Sequence, residues 1–253
     1  MSTGSRKGWI QEASPRFEAR LAGCLYLLII LGGLFAPFAV APSGMMLGDS
    51  ALPTAAKILA AKQLYIIGGI AQLLVYTCDI GVALIFYELL KPVHRKLALA
   101  AAFFRLVFVA IASANMMNHF APLVLLDGGH YLSTFPPNQL QTLAQIFIRL
   151  RTYGFDIALL FFGFHWIFAG YLFFKSTFFP RLLGLALAIG GLGYIANIMV
   201  TAIPAATATH LFPYIMLPAG LAEILLTLWL IVVGVNVPKW REQASAAGLS
   251  TRN

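Results

Sequence analysis

The sequence predicts an all-α protein, a polytopic membrane bundle with six transmembrane helices. Of its 253 residues, 60% are hydrophobic and only 10% are Asp, Glu, Lys or Arg, whereas soluble domains carry roughly 25% charged residues. Six apolar runs follow one another along the chain, and crossing roughly 30 Å of hydrocarbon takes about 20 apolar residues. Because the bilayer core cannot hydrogen-bond a free backbone, we expect each run to be a helix.

The apolar runs divide the chain into three regions. We expect a cytoplasmic N-terminal segment over 1–20, a six-helix transmembrane domain over 21–236 and a disordered cytoplasmic tail over 237–253. The predicted spans lie near 21–42, 64–90, 97–125, 154–174, 181–202 and 213–236. The less apolar segment 137–153 is predicted either as an amphipathic helix on the outer surface or as an extension of the fourth span.

The first span has a second interpretation. Arg16 and Arg20 precede it, and it ends in "FAVAPSG", which contains a small-residue A-x-A pattern typical of signal-peptide cleavage sites. The long polar leader and the five later spans favour a retained first helix.

The positive charge is distributed as in a membrane protein rather than a nucleic-acid-binding one. The net charge is +8, but the basic residues lie at helix ends and in short connectors instead of on one face. Lys and Arg beside the spans mark the cytoplasmic side, so we expect an inner (cytoplasmic) membrane protein with both termini cytoplasmic. This orientation leaves only Lys57, Lys62, Arg149 and Arg151 outside and places these inside: Arg6, Lys7, Arg16, Arg20, Lys91, Arg95, Lys96, Lys175, Arg181, Lys239, Arg241 and Arg252.

Four ionisable residues lie within the predicted spans at matching depth. A rise of about 1.5 Å per residue, counted from the basic turns, places Asp79 and Arg105 at similar depth on antiparallel helices, with His165 and Glu223 also near the midplane. A charge at the bilayer centre costs on the order of 2.5 to 3.5 kcal/mol, so such residues usually face the bundle interior and mark functional sites. They are the candidate catalytic residues.

Two interpretations of these four residues remain open. One is a buried Asp79–Arg105 ion pair that fixes helix packing, with His165 and Glu223 satisfying each other or backbone groups. The other is a polar pocket reached from outside. Its candidate ligand-binding residues are Gln72, Tyr76, Asn115, Asn118, Tyr194 and Asn197, with Ser113 nearby.

Motifs of familiar soluble enzymes and of metal sites are absent from the sequence. Cys24 and Cys78 are isolated within apolar runs, without CxxC or Cys/His spacing. The chain has no P-loop, no GxGxxG after a strand, no GxSxG and no HExxH. We therefore predict no metal site and no particular cofactor.

Several long stretches resemble a known family. They are "RLAGCLYLLIILGGLFA", "KPVHRKLALAAAFFRL", "YGFDIALLFFGFHWIFAGYLFFKSTFFPRLLG" and "AEILLTLWLIVVGV". Together they resemble the bacterial integral-membrane family known as domain of unknown function 4386. The resemblance implies six membrane helices with family positions at Asp79, Arg105, His165 and Glu223, and it brings no activity, substrate or cofactor. This chain departs from the family pattern at His94, where asparagine is expected, and at Asp156, where an uncharged residue is expected.

Three functions fit these observations. The first is binding or transformation of a lipid-soluble small molecule, with Asp79 or Glu223 as acid/base and Arg105 and His165 as orienting groups. The second is a proton-coupled small-solute transporter, and the third is a structural membrane subunit whose buried charges only lock the helices. The bilayer is the expected partner and nucleic acid is not, while the oligomeric state and whether the protein is an enzyme are left open.

Overall fold

The computed structural model describes residues 14–40, 51–200 and 205–249, and within these ranges every regular element is a helix. The elements are α1 (Pro15–Val40), α2 (Ala51–Ala60), α3 (Lys62–Leu126), a short 3-10 helix (His130–Leu132), α4 (Pro137–Lys175), α5 (Arg181–Val200), α6 (Ala205–Val232) and α7 (Val237–Ala246). Five of them, α1, α3, α4, α5 and α6, contain segments long and apolar enough to cross a membrane. The prediction of an all-α bundle is confirmed.

Helix α3 accounts for two of the six predicted spans. Its 65 residues are interrupted at His94, whose backbone is extended (φ −162°, ψ 101°). The His94 side chain accepts a hydrogen bond from the Leu97 amide at 3.2 Å, and this bond caps the second arm. The first arm (62–93) and the second arm (95–126) then run antiparallel, because Tyr65 donates to the His119 carbonyl at 2.7 Å.

The long helices close into a ring around one core. α1 contacts α3 and α6, α3 contacts α4, α4 contacts α5, and α5 contacts α6. Trp166, Arg105 and Tyr26 are among the largest side chains that are fully buried. A polar group therefore lies at the centre of an otherwise apolar bundle.

Paired glycines bring α4 and α5 into backbone contact. A Cβ on Gly163 would lie 2.7 Å from the Gly191 carbonyl oxygen, and a Cβ on Gly170 would lie 2.7 Å from that of Gly184. Small residues of this kind let membrane helices approach closely where lipid provides little hydrophobic drive between them. The two pairs therefore fix α4 close to α5 along this face.

The segment 137–153 has the second of its two predicted forms, an extension of the fourth span, because it is a continuous part of α4. Other predicted boundaries require correction. The first helix begins at Pro15 rather than 21, and α2 lies in a stretch expected to be a connector. Residues 1–13, 41–50, 201–204 and 250–253 lie outside the described residues, so most of the expected N-terminal segment stays a prediction.

The tail expected to be disordered instead forms α7 over most of its length. The Asn236 side chain caps this helix by accepting from the Lys239 amide at 3.2 Å, as expected of asparagine at an N-cap. Trp240 Nε1 donates to the Leu89 carbonyl at 3.0 Å, and Gln243 Oε1 accepts from Thr177 Oγ1 at 3.0 Å. The polar composition predicted disorder, but these few contacts attach the helix to the bundle.

Candidate functional site

Three of the four candidate catalytic residues are in direct contact inside the bundle. Arg105 forms a salt bridge with Asp79, and its Nε donates to Asp79 Oδ1 at 2.9 Å. Arg105 Nη1 lies 3.1 Å from His165 Nε2. The exposed fractions of Asp79, Arg105 and His165 are 2%, 0% and 1%, so the group is sealed from the surroundings.

The hydrogen bonds fix the orientation of the His165 ring. Arginine has only donors, so His165 Nε2 accepts from Arg105. His165 Nδ1 lies 2.9 Å from the Ala101 carbonyl oxygen, which can only accept, so Nδ1 carries the proton. His165 therefore joins α4 to the second arm of α3 through both ring nitrogens.

Aromatic rings enclose the Arg105 guanidinium. Its Cζ lies 5.1 Å from the ring centroid of Tyr26, 5.3 Å from Phe162, 5.8 Å from Phe86 and 5.9 Å from Trp166. Desolvated cation–π contacts contribute up to about 2 kcal/mol. The rings therefore replace part of the hydration that Arg105 loses on burial.

Glu223 joins this group through two tyrosines. Its Oε1 accepts from the Tyr194 hydroxyl at 2.6 Å and its Oε2 from the Tyr26 hydroxyl at 3.1 Å. The Tyr26 ring also faces Arg105. We call the six residues Tyr26, Asp79, Arg105, His165, Tyr194 and Glu223 the buried network. It takes at least one residue from each of α1, α3, α4, α5 and α6.

A separate cavity lies beyond the network, on the side away from the α3 bend. Its volume is about 350 Å³, within the roughly 300 to 1,000 Å³ typical of small-molecule sites. Three predicted ligand-binding residues line it: Gln72, Tyr76 and Asn115. Its other lining residues are Gly33, Met116, Arg151, Thr152, Phe155, Asp156 and Leu159. We call this space the polar cavity.

The remaining predicted ligand-binding residues have different places. Asn118 Nδ2 donates to Asn115 Oδ1 at 2.8 Å, and Asn197 Nδ2 donates to Asp156 Oδ1 at 2.9 Å. Both thus hold residues that line the polar cavity. Tyr194 belongs to the buried network instead.

The wall that α4 contributes to the cavity was not predicted from the sequence. Arg151, Thr152, Phe155, Asp156 and Leu159 follow the helical spacing of a single face. A fourth span that starts at 154 separates Arg151 and Thr152 from the other three residues. Only the predicted alternative, an extension of that span into 137–153, places all five on one helix.

Tyr76 lies between the cavity and the network. Its side chain lines the polar cavity and precedes Asp79 by three residues on the same helix. Positions three apart on a helix are neighbours. The cavity therefore ends one helical turn from the buried ion pair.

Potential metal ligands are not clustered in the described ranges. No three His, Cys, Asp or Glu side chains in 14–40, 51–200 and 205–249 are grouped so as to hold a metal ion. Cys24 and Cys78 are both free thiols.

Comparison with known proteins identifies the family. The family described as "Domain of unknown function (DUF4386)" matches residues 21–234, which is most of the chain and includes the whole buried network. The chain belongs to the DUF4386 family. The sequence is also similar to an uncharacterised protein of Archaeoglobus fulgidus, with 25% identity over 162 residues that cover 64% of this chain and 80% of that protein. No solved structure matches this DUF4386 protein.

Proposed function

We propose that this DUF4386 protein is a multi-pass membrane protein that binds a small amphipathic molecule in the polar cavity. The chemical composition of the cavity wall is the main support for this proposal. It combines a cation, a carboxylate, two amides and a phenol with the apolar side chains of Met116, Phe155 and Leu159. Pockets that are mostly apolar with a few convergent polar groups are the usual form of a ligand site.

The two charged residues of the cavity leave bonding capacity for a ligand. Arg151 and Asp156 line the same space, yet neither takes part in a salt bridge within the described ranges. One Asp156 oxygen accepts from Asn197, and the Arg151 carbonyl, not its guanidinium, accepts from Asn115. A ligand with polar groups of both kinds would be recognised here.

The wall formed by α1 favours a lipid-soluble ligand. Gly33 lines the cavity and is exposed on the bundle surface. A Cβ placed on it would meet no atom within 4 Å. An apolar ligand could therefore reach the cavity from the side of the bundle that faces lipid.

A structural role is the better proposal for the buried network. Asp79, Arg105 and His165 are sealed and bonded to one another, which leaves little room for a substrate beside them. Breaking a buried pair costs more than the pair itself contributes. The candidate acid/base role of Asp79 and Glu223 therefore has less support than helix locking.

Native mass spectrometry of the gently solubilised protein tests the binding proposal. We expect the wild type to retain a small-molecule mass and Arg151→Gln to lose it, because the variant removes the cation from the cavity wall. Arg149→Gln is the matched control, since it makes the same change two residues away on an exposed side chain outside the wall.

A cavity-filling pair gives a second test of the same site. Gly33→Leu would place a side chain in open space at the wall of the polar cavity. Gly220→Leu makes the same change where nothing lies within 4 Å of an added Cβ, at a residue that lines neither this cavity nor the one at the α3 bend. We expect only Gly33→Leu to displace the bound mass. Retention of the mass in both Arg151→Gln and Gly33→Leu would contradict the proposal, as would a wild type that is empty in every detergent.

A further inference from the structure

A second cavity lies at the opposite end of the bundle, beside the α3 bend. Its volume is about 500 Å³. Its wall includes Arg16, Lys239, Asn236, Thr177 and Trp229, and no carboxylate of the described residues lines it. This end is the one the positive-inside pattern assigns to the cytoplasm.

The cations of this wall have no carboxylate partner in the part of the chain that the structure describes. The side chains of Arg16 and Lys239 are exposed, and neither forms a salt bridge with another described residue. They reach the same space from α1 and α7, which are far apart in the chain. Two unneutralised positive charges around one cavity favour an anionic ligand.

The helix ends contribute less positive charge to this cavity than the side chains of Arg16 and Lys239 do. α1, α5 and α7 begin beside the cavity, while α4 and α6 end beside it. Each helix end carries about half an elementary charge, positive at the start and negative at the end. The sum is therefore roughly +0.5, so Arg16 and Lys239 dominate.

A buried donor in the wall also lacks an acceptor. The indole Nε1 of Trp229 is buried and has no hydrogen-bond partner in the part of the chain that the structure describes. Trp229 lines the cavity. Leaving a buried donor unmatched costs roughly 1 to 3 kcal/mol, and an anionic oxygen in the cavity would offer it a partner.

We propose that this second cavity binds a phosphate group between Arg16 and Lys239, carried by an anionic phospholipid headgroup or by a free phosphate-bearing solute. Phosphate suits a site with two separate cations because its oxygens accept from several donors at once. The apolar wall beside the cations, which includes Phe178, Phe179 and Val233, can cover a glycerol backbone.

Lipid and solute titrations of the full-length protein in detergent test this proposal. Native mass spectrometry would follow phosphatidylglycerol and phosphatidylcholine with identical acyl chains, and thermal shift would follow inorganic phosphate and glycerol 3-phosphate. We expect phosphatidylglycerol or the free phosphates to bind, with a dissociation constant raised about tenfold or more in Arg16→Gln/Lys239→Gln. Arg16→Lys/Lys239→Arg keeps both charges and should keep most of the affinity.

The control is Arg95→Gln/Lys96→Gln, which removes two exposed cations of the α3 bend that do not line the cavity. It should bind as the wild type does. Selective phosphatidylglycerol binding with little response to the free phosphates would identify a lipid headgroup, and the reverse would identify a solute. Equal losses of affinity in Arg16→Gln/Lys239→Gln and Arg95→Gln/Lys96→Gln would show an effect of net charge alone and overturn the proposal. So would the absence of binding in both the lipid and the solute titrations.

Discussion

At the scale of single residues, Arg105 is the fully buried cation at the centre of the network. A buried cation loses its hydration, and the effective penalty is several kcal/mol per ion even after relaxation. Arg105 recovers this through the Asp79 carboxylate, the His165 ring nitrogen and the faces of four aromatic rings. Removing one partner would leave the others buried without compensation.

We predict that Arg105→Met lowers the free energy of unfolding by about 3 to 5 kcal/mol, because it leaves Asp79 buried without a cation. Denaturant titration in mixed micelles would measure the change. The double variant Asp79→Leu/Arg105→Met should recover a large part of the loss, since it removes both charges together. The single variant Asp79→Leu completes the double-mutant cycle. If the double variant lost as much stability as the two single variants together, the two side chains would not form a coupled pair.

The sequence predicted the four ionisable residues of the network, but it did not single out Tyr26 and it gave Tyr194 a ligand-binding role instead. Counting residues from the basic turns placed Asp79 and Arg105 at one depth, and the structure joins them. The sequence did not predict that Tyr26 and Tyr194 hydrogen-bond Glu223. The spacing of a tyrosine in an apolar helix does not show whether its hydroxyl is hydrogen-bonded or its ring only packs.

At the scale of elements, α4 contributes to three separate features of the structure. Arg151 and Asp156 line the polar cavity, and His165, in the C-terminal half of the helix, belongs to the network. Gly163 and Gly170 meet the backbone of α5. A shift of α4 would disturb both the cavity and the network.

We predict that Gly170→Val destabilises the protein, because its Cβ would lie 2.7 Å from the Gly184 carbonyl oxygen and even closer to the backbone amide of Ala188. Inserting bulk into a packed interface typically costs about 1 to 3 kcal/mol. Thermal denaturation in detergent would measure it. Gly220→Val is the matched control, with open space around its Cβ, and equal melting temperatures for the two variants would contradict the close α4–α5 contact.

The element boundaries show where composition alone is insufficient. Length and apolarity predicted the long helices, because crossing a bilayer imposes both. They could not predict α7, which depends on one asparagine cap and on contacts of Trp240 and Gln243 with distant residues. Nor could they decide whether 137–153 is a surface helix or an extension of the fourth span, because that depends on packing against α2.

At the scale of the whole molecule, the closed ring of helices has chemically different ends. The end at the α3 bend has the cavity with Arg16 and Lys239, and the polar cavity lies on the other side of the buried network. The positive-inside pattern assigns the basic end to the cytoplasm. The orientation decides which compartment each cavity faces.

We predict that both termini are cytoplasmic, so a cysteine at position 94 in the bend is shielded in intact cells and one at position 130 is accessible. A membrane-impermeant maleimide would report this in a background with Cys24 and Cys78 replaced by serine. Labelling at 94 with protection at 130 would show the opposite orientation and contradict the prediction.

We propose that the buried network locks the helices while the polar cavity binds a ligand. The most direct measurement records bound mass and unfolding free energy together for Asp79→Asn and Asp156→Asn. We predict that Asp79→Asn loses about 3 to 5 kcal/mol of stability, whereas Asp156→Asn keeps its stability, because an amide oxygen can still accept from Asn197, and loses the bound molecule. An Asp79→Asn protein of native stability that has lost its ligand, beside an Asp156→Asn protein that retains it, would contradict the account and place the binding chemistry in the network.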